Sequence, residues 1–251
     1  MADKIRCLNG NTLKIIAAVC MVIDHVGLLF FPYVIEFRII GRLAFPIFAF
    51  MISEGARYTK NKLKYFSTMF ILALICQTVY FFFDSGSTYM CILVTFSVAI
   101  PLIYVLQFVK AGILSPKSSF TVKIIYAFTG ILAVFAVKAI NSFLEIDYGF
   151  WGCLLPAFAS LTDFRGIEIP KWLDKLQLDT IPVRLLFFSV GLFLLAGSVK
   201  SIQIYALLAV PLLLLYSEKR GKYKLKYFFY LFYPLHLVFL EAVYILFSLF
   251  L

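Results

Sequence analysis

Charge is scarce in this chain. Only 14% of its 251 residues are charged and only two are histidine. A soluble domain carries about 25% charged residues, so a water-soluble globule is excluded, as is a string of soluble domains. Cysteine is sparse and scattered. The five (Cys7, Cys20, Cys76, Cys91, Cys153) are odd in number and form no CxxC pair, which excludes a disulfide framework and leaves no redox or metal signal. A P-loop, a G-x-G-x-x-G turn, an H-E-x-x-H helix and a G-x-S-x-G elbow are all missing. Two distant histidines without a cysteine partner do not make a zinc site, so no metal is expected. There is no internal repeat, low-complexity tract or heptad. No A-x-A-like site follows Met1–Lys14, so the first apolar run is expected to stay as a membrane span.

What the chain does have is apolar surface. Hydrophobic residues reach 63% and aromatics 18%, with a mean hydropathy of +0.97. That suits a lipid-facing protein with interfacial rings. The net charge of +10 is carried in short loops between apolar runs. This placement suits anionic lipid or an anionic cytosolic ligand, not nucleic acid. At about 20 apolar residues per crossing, candidate spans are 13–31, 38–58, 65–83, 89–109, 122–144, 147–162, 183–199, 201–216 and 226–250. Asp84-Ser85-Gly86-Ser87 and Ser217–Gly221 read as connections. A tight turn at Lys200-Ser201 predicts a hairpin of spans seven and eight. The loop 163–182, with Pro170, Trp172, Leu173 and Leu176, predicts a short interfacial helix. The expected fold is all-α: one polytopic membrane domain over 1–251, with about nine helices.

Orientation follows from the basic residues. With a cytoplasmic N-terminus and nine crossings, 19 of the 23 Lys and Arg fall on the inner side and three outside, with Arg42 inside a span. If the short stretch 147–162 did not cross, the division would be eleven against eleven. The bias is the positive-inside signal, so the C-terminus is expected outside and the membrane is the cell membrane.

An ionisable group at mid-membrane costs about 2.5–3.5 kcal/mol on insertion scales. The spans nonetheless hold Asp24, His25, Arg42, Glu54, His236 and Glu241, with Arg57 and Asp147 at span ends. His25 sits about 9 Å from the outer end of its span and Arg42 about 6 Å from the outer start of the next. Asp24 or His25 can therefore meet Arg42, although neighbours on a helix point about 100° apart and cannot both face one partner. Each group also has a structural explanation. Asp24–Arg42 can be a packing ion pair, and Glu54 and Arg57 can pair at i,i+3. His236 can hydrogen-bond a neighbouring helix, and Glu241 can face a solvated interior. The basic loop 219–226 can serve topology alone, and Gly41, Gly55 and Gly149 close helix contact.

Three blocks are more specific together than singly. Leu13–Gly27 contains Asp24-His25. Arg38–Phe50 contains Gly41-Arg42-Leu43-Ala44-Phe45-Pro46 and is followed by Glu54-Gly55. Tyr227–Leu237 ends in Tyr233-Pro234-Leu235-His236. With Asp147-Tyr148-Gly149 between them, they resemble the TraX family across the whole chain. The resemblance implies an integral-membrane, acyl-CoA-dependent acetyltransferase. The founding member is linked to N-terminal acetylation of conjugative pilin, and related transmembrane acyltransferases modify surface sugars. It implies acetyl-CoA as donor, a peptide N-terminus or glycan as acceptor, and membrane lipids around it. His25 or His236 would be the base, Arg42 the group steadying the oxyanion and Asp24 the carboxylate that positions one of them. Glu54, Arg57, Lys60, Lys62, Tyr230, Tyr233, Lys222 and Lys224 would meet the donor, and Asp147 and Tyr148 the acceptor. Two other classes stay open. One is a transporter or flippase using the same charges as a path, the other a non-catalytic assembly factor.

Overall fold

A computed structural model describes residues 6–83, 89–198 and 201–249. Most of the described residues are helical. Six helices are long and apolar enough to cross a membrane: α1 (Gly10–Phe30), α4 (Lys62–Phe83), α5 (Ile92–Leu114), α6 (Phe120–Phe143), α9 (Ile181–Ser198) and α11 (Lys226–Leu249). Shorter pieces are α2 (Ile35–Gly41), α3 (Ala44–Tyr58), α7 (Gly149–Ser160), α8 (Lys171–Asp174), and a 3₁₀ turn Ser201–Leu208 continued by α10 (Ala209–Leu214). The departures from an all-α chain among the described residues are a two-residue parallel pair, β1 (Tyr89–Met90) with β2 (Glu145–Ile146), and an isolated parallel bridge between Leu8 and Tyr216. The connections at 84–87 and at Lys200 lie outside the described residues.

Helices recur within a few residues of the nine expected stretches, six of them long and apolar enough to cross a membrane, because each is a local property of an apolar run and its interruptions. A short helix, α8, forms in the loop where one was expected. The second span differs in being broken between α2 and α3. Pro46 has no N–H for the carbonyl of Arg42 and its ring crowds that carbonyl. The chain therefore turns at Arg42-Leu43 and restarts as α3. Two glycines let α2 lie against α1. A Cβ on Gly27 would stand 2.4 Å from Phe37, and one on Gly41 2.0 Å from the Asp24 carboxylate. A larger residue at 41 would push away the carboxylate that Arg42 needs.

Contacts sort the helix ends into two levels. At the end where α1 begins, Asn9 caps the helix by accepting from the N–H groups of Asn11 and Thr12. The segment 215–223 is laced onto it, with Gly10 N–H donating to Lys219 O (2.8 Å), Asn11 N–H to Arg220 O (3.0 Å) and Asn11 Nδ2 to Tyr223 O (2.7 Å). The C-terminal ends of α3, α5 and α7 and the start of α9 share this level. There Arg57 meets Asp163 and Asp179, Lys110 meets Ser160 O (2.9 Å), and Arg184 meets Glu54. At the opposite level lie Arg42 beside Asp24 and Gln203, and Thr95 beside Asp147. The core between them is packed with buried Leu13, Ile47, Phe50, Ile100, Leu155 and Phe188.

Candidate active site

A cavity of about 1070 Å³ runs along α1. Gly10, Asn11, Lys14 and Arg220 line it at one level, and Asp24, His25, Leu28 and Leu29 at the other. Gly10 to Leu29 is about 28 Å of helix. Between these ends the wall is Met51 and Ile52 of α3, Tyr65 and Met69 of α4, and Tyr230 and Tyr233 of α11. Lys14 and His25 are eleven residues apart, three turns, so one face of α1 carries both. That spacing was the signal for Lys14, which charge counting treats only as a topology determinant.

The far end holds the charged chemistry. Arg42 Nη2 donates to Asp24 Oδ1 (2.9 Å) and Oδ2 (2.8 Å), Nη1 to Gln203 Oε1 (3.3 Å), and Nε to the Arg38 carbonyl (3.4 Å). Guanidinium has five N–H donors. One Nη2 hydrogen serves both oxygens of the carboxylate, so these contacts engage three of the five, and the guanidinium still lines the cavity. Arg38 Nη1 holds the same carboxylate at 2.9 Å, so Asp24 answers two arginines. Asp24 and His25 face different partners, as the helix geometry demands. Asp24 faces the arginines, whereas His25 meets His236 of α11, ring to ring at 5.2 Å. His25 lines the cavity, and His236 stands behind it, 6% exposed.

Asp147 and Tyr148 line the same end. Asp147 accepts from the Tyr89 hydroxyl, and its carbonyl accepts from Thr95 Oγ1 (2.8 Å). Tyr148 sits at φ +59° before α7, in the left-handed region that costs a non-glycine residue about 1–3 kcal/mol. It is held by stacking on Phe45 at 3.9 Å.

A second charged cluster lies at the opposite level. Glu54 lines the cavity, but its partner is Arg184 of α9 at 2.5 Å, not Arg57. Arg184 also donates from Nε to the Ala159 carbonyl (3.1 Å). Arg57, with a 5% exposed side chain, meets Asp163 (3.3 Å) and donates from Nη2 to Asp179 (2.9 Å). Lys110 Nζ donates to the carbonyls of Ser160, Leu161 and Asp163. Three cations thus gather around the C-terminal carbonyls of α7, where the helix dipole favours them. Spacing within α3 made Glu54–Arg57 look like neighbours, but their partners come from distant segments that local pattern cannot reveal.

Of the residues expected to meet a donor, Glu54, Tyr230 and Tyr233 line the cavity. Lys60, Lys62, Lys222 and Lys224 are exposed and Arg57 is committed to its two carboxylates; none of these five lines it. Lys14 and Arg220 line the cavity at that level instead. Among the described residues, no group of three or more His, Cys, Asp or Glu is placed to hold a metal ion.

A family profile described as TraX protein matches residues 9–244. The chain is 26% identical to the probable fimbrial assembly protein FimC, serogroup H1, of Dichelobacter nodosus, over 91% of this chain and 92% of that protein. It is 48% identical to an uncharacterised protein of Rickettsia prowazekii (strain Madrid E), over 40 residues, 16% of each chain. No solved structure matches.

Proposed function

The chain belongs to the TraX family, a family associated with pilin acetylation, and from that premise we propose that it is a membrane-embedded acetyltransferase. It takes the acetyl group from cytosolic acetyl-CoA and passes it to an amine or hydroxyl of a peptide N-terminus or a surface glycan. The observation that carries this reading is the single cavity joining Lys14 and Arg220 to His25 and Arg42. Lys14 to His25 is about 16 Å along the helix. The phosphopantetheine arm has about 13 bonds from phosphorus to sulfur, roughly 15 Å at the reach of an extended chain. Phosphates held at Lys14 and Arg220 therefore bring the thioester to the histidine.

There the acceptor attacks the thioester carbon while His25 takes its proton, and a guanidinium N–H of Arg42 meets the developing oxyanion. Asp147 and Tyr148 border the place where the acceptor sits. The name of the Dichelobacter relative, a fimbrial assembly protein, favours a peptide acceptor in a surface fibre.

The same reading sets topology: one domain, nine crossings of a bacterial cell membrane, N-terminus cytoplasmic. Support comes from the two levels of contacts. The starts of α1 and α11 lie together, so an even number of crossings separates them. The five long helices before α11 are odd in number. An odd number of the shorter segments must therefore cross too, and α2–α3, α7 and the 3₁₀–α10 stretch each join the two levels.

The test is thermal stability of the purified protein in detergent, titrated with CoA and acetyl-CoA, beside transfer of labelled acetyl. Stabilisation by CoA that shrinks in Lys14→Ala with Arg220→Ala is expected. No stabilisation would favour a transporter or an assembly factor.

A further inference from the structure

A second opening lies beside the cavity, between α1 and α11. It is a groove of about 440 Å³ whose lining side chains are all apolar. Ile15, Val19 and Ile23 of α1 form one wall, spaced i, i+4 and i+8 along one helical stripe. Leu225, with Phe228 and Phe232 of α11, forms the other. Ile15, Val19 and Phe228 are each about half exposed, so the groove opens outward. Ile15 to Ile23 is about 12 Å of helix, close to half of a hydrocarbon core about 30 Å thick. The groove is one leaflet deep, beginning at the level where α1 begins.

Its end at that level is basic. Lys222 and Lys224, which stay outside the cavity, are exposed within three residues of Leu225. Tyr223 and Tyr227 beside them are also exposed, as rings at the headgroup level are. The wall towards the protein is shared, for Phe232 lines both the groove and the cavity. Its ring stacks with Phe228 (5.6 Å, 26°) and with His236 (5.1 Å, 8°). His236 in turn meets His25 at 5.2 Å. A row of four rings therefore runs from the groove to the histidine that lines the cavity.

We propose that this groove binds one acyl chain of an anionic phospholipid, whose phosphate meets Lys222 and Lys224, and that the chain braces the Phe228–Phe232–His236 stack. The lining selects the occupant. It has no polar side chain, and helices within a bilayer satisfy their own backbone groups, so a sugar, nucleotide or polar peptide finds no partner there. A hydrocarbon chain needs only packing contacts. A second copy of this chain docked about a two-fold axis would set its own Lys222 and Lys224 against these two. A lipid phosphate brings the opposite charge. Through the stack, the chain sets where the His236 ring stands against His25. The binding site does not depend on the acetyl-transfer reading; only the effect on rate rests on it.

The test uses delipidated protein in detergent, titrated with phosphatidylglycerol or with phosphatidylcholine of the same chain length. Native mass spectrometry reads bound lipid and oligomeric state together. One phosphatidylglycerol should be held per chain, at least about tenfold more tightly than phosphatidylcholine. Lys222→Ala with Lys224→Ala should bring the two lipids nearly level. Val19→Trp, which fills the groove from an exposed position, should weaken both. In vesicles, adding phosphatidylglycerol to phosphatidylcholine should raise acetyl transfer several-fold in the wild type and leave Val19→Trp unchanged. Equal retention of the two lipids by the wild type, or undiminished phosphatidylglycerol binding in both variants, would overturn the proposal. A dimer in place of bound lipid would overturn it too and give the groove to a second copy. Transfer indifferent to phosphatidylglycerol in an active protein would overturn the bracing of the stack. Lipid bound as expected by a protein that transfers no acetyl would defeat the enzyme reading and leave the lipid site standing.

Discussion

Arg42 shows how much chemistry one residue type can carry. Its fork reaches Asp24, Gln203 and the Arg38 carbonyl at once and still lines the cavity. Lysine has three donors on a point charge and cannot copy that geometry. Arg42→Lys is therefore expected to keep the Asp24 pair and the fold but lose the guanidinium N–H proposed for the oxyanion. Transfer should fall by about 10²–10³, the usual cost of one such donor, while CoA stabilisation of the purified protein stays near wild type. Equal loss of rate and of CoA binding would assign Arg42 to the donor site. Asp24, His25, Arg42 and His236 were all legible in the sequence, because ionisable groups in apolar runs stand out. Their partners were less so. Gln203 and Arg184 read as ordinary polar residues until the fold buries them, each 1% exposed.

At the scale of elements, the α1–α2 contact is set by Gly41. A leucine there would have to displace the Asp24 carboxylate 2.0 Å from its Cβ. Gly41→Leu should part the two helices, lower the melting temperature in detergent and abolish transfer together. Gly197→Ala is the control. Nothing lies within 4 Å of its Cβ, and alanine favours the α9 helix by up to about 1 kcal/mol. The α3–α9 tie makes another prediction. Arg184→Met strands Glu54 in the core, and removing one partner of a buried pair costs about 3–5 kcal/mol. Thermal denaturation should show a large loss in that variant, and adding Glu54→Gln should recover much of it. A loss that the second change fails to relieve would mean Arg184 acts mainly through the Ala159 carbonyl.

The whole molecule makes one prediction that needs little engineering. Cys7 is exposed and the other four cysteines are buried. Cys7 lies at the α1-starting level, beside Leu8, whose N–H donates to Leu215 O (2.9 Å). A membrane-impermeant maleimide should leave it unlabelled in intact cells and label it after permeabilisation. Tyr33 is 98% exposed at the opposite level, so Tyr33→Cys should label from outside without permeabilisation. The reverse pattern would invert the topology and place Lys14 and Arg220 on the side without CoA.

Helix positions and the ionisable groups lodged in apolar runs were determined by the sequence alone. Both are local: a run of apolar residues must satisfy its backbone internally as a helix, and a charge inside it is conspicuous. The break at Arg42-Leu43 was not read from the sequence, since Pro101, Pro156 and Pro234 sit in similar apolar runs whose helices continue. Pairing was decided only by the tertiary structure. Glu54 and Arg57 are one helical turn apart, yet each finds its partner more than a hundred residues away, since a buried charge takes the best-placed counter-charge in space. The cavity likewise belongs to no segment. Lys14 and Arg220 line it because the segment 215–223 hydrogen-bonds to the start of α1. Lys60, Lys62, Lys222 and Lys224, equally basic, stay in solvent because nothing in the fold turns them inward.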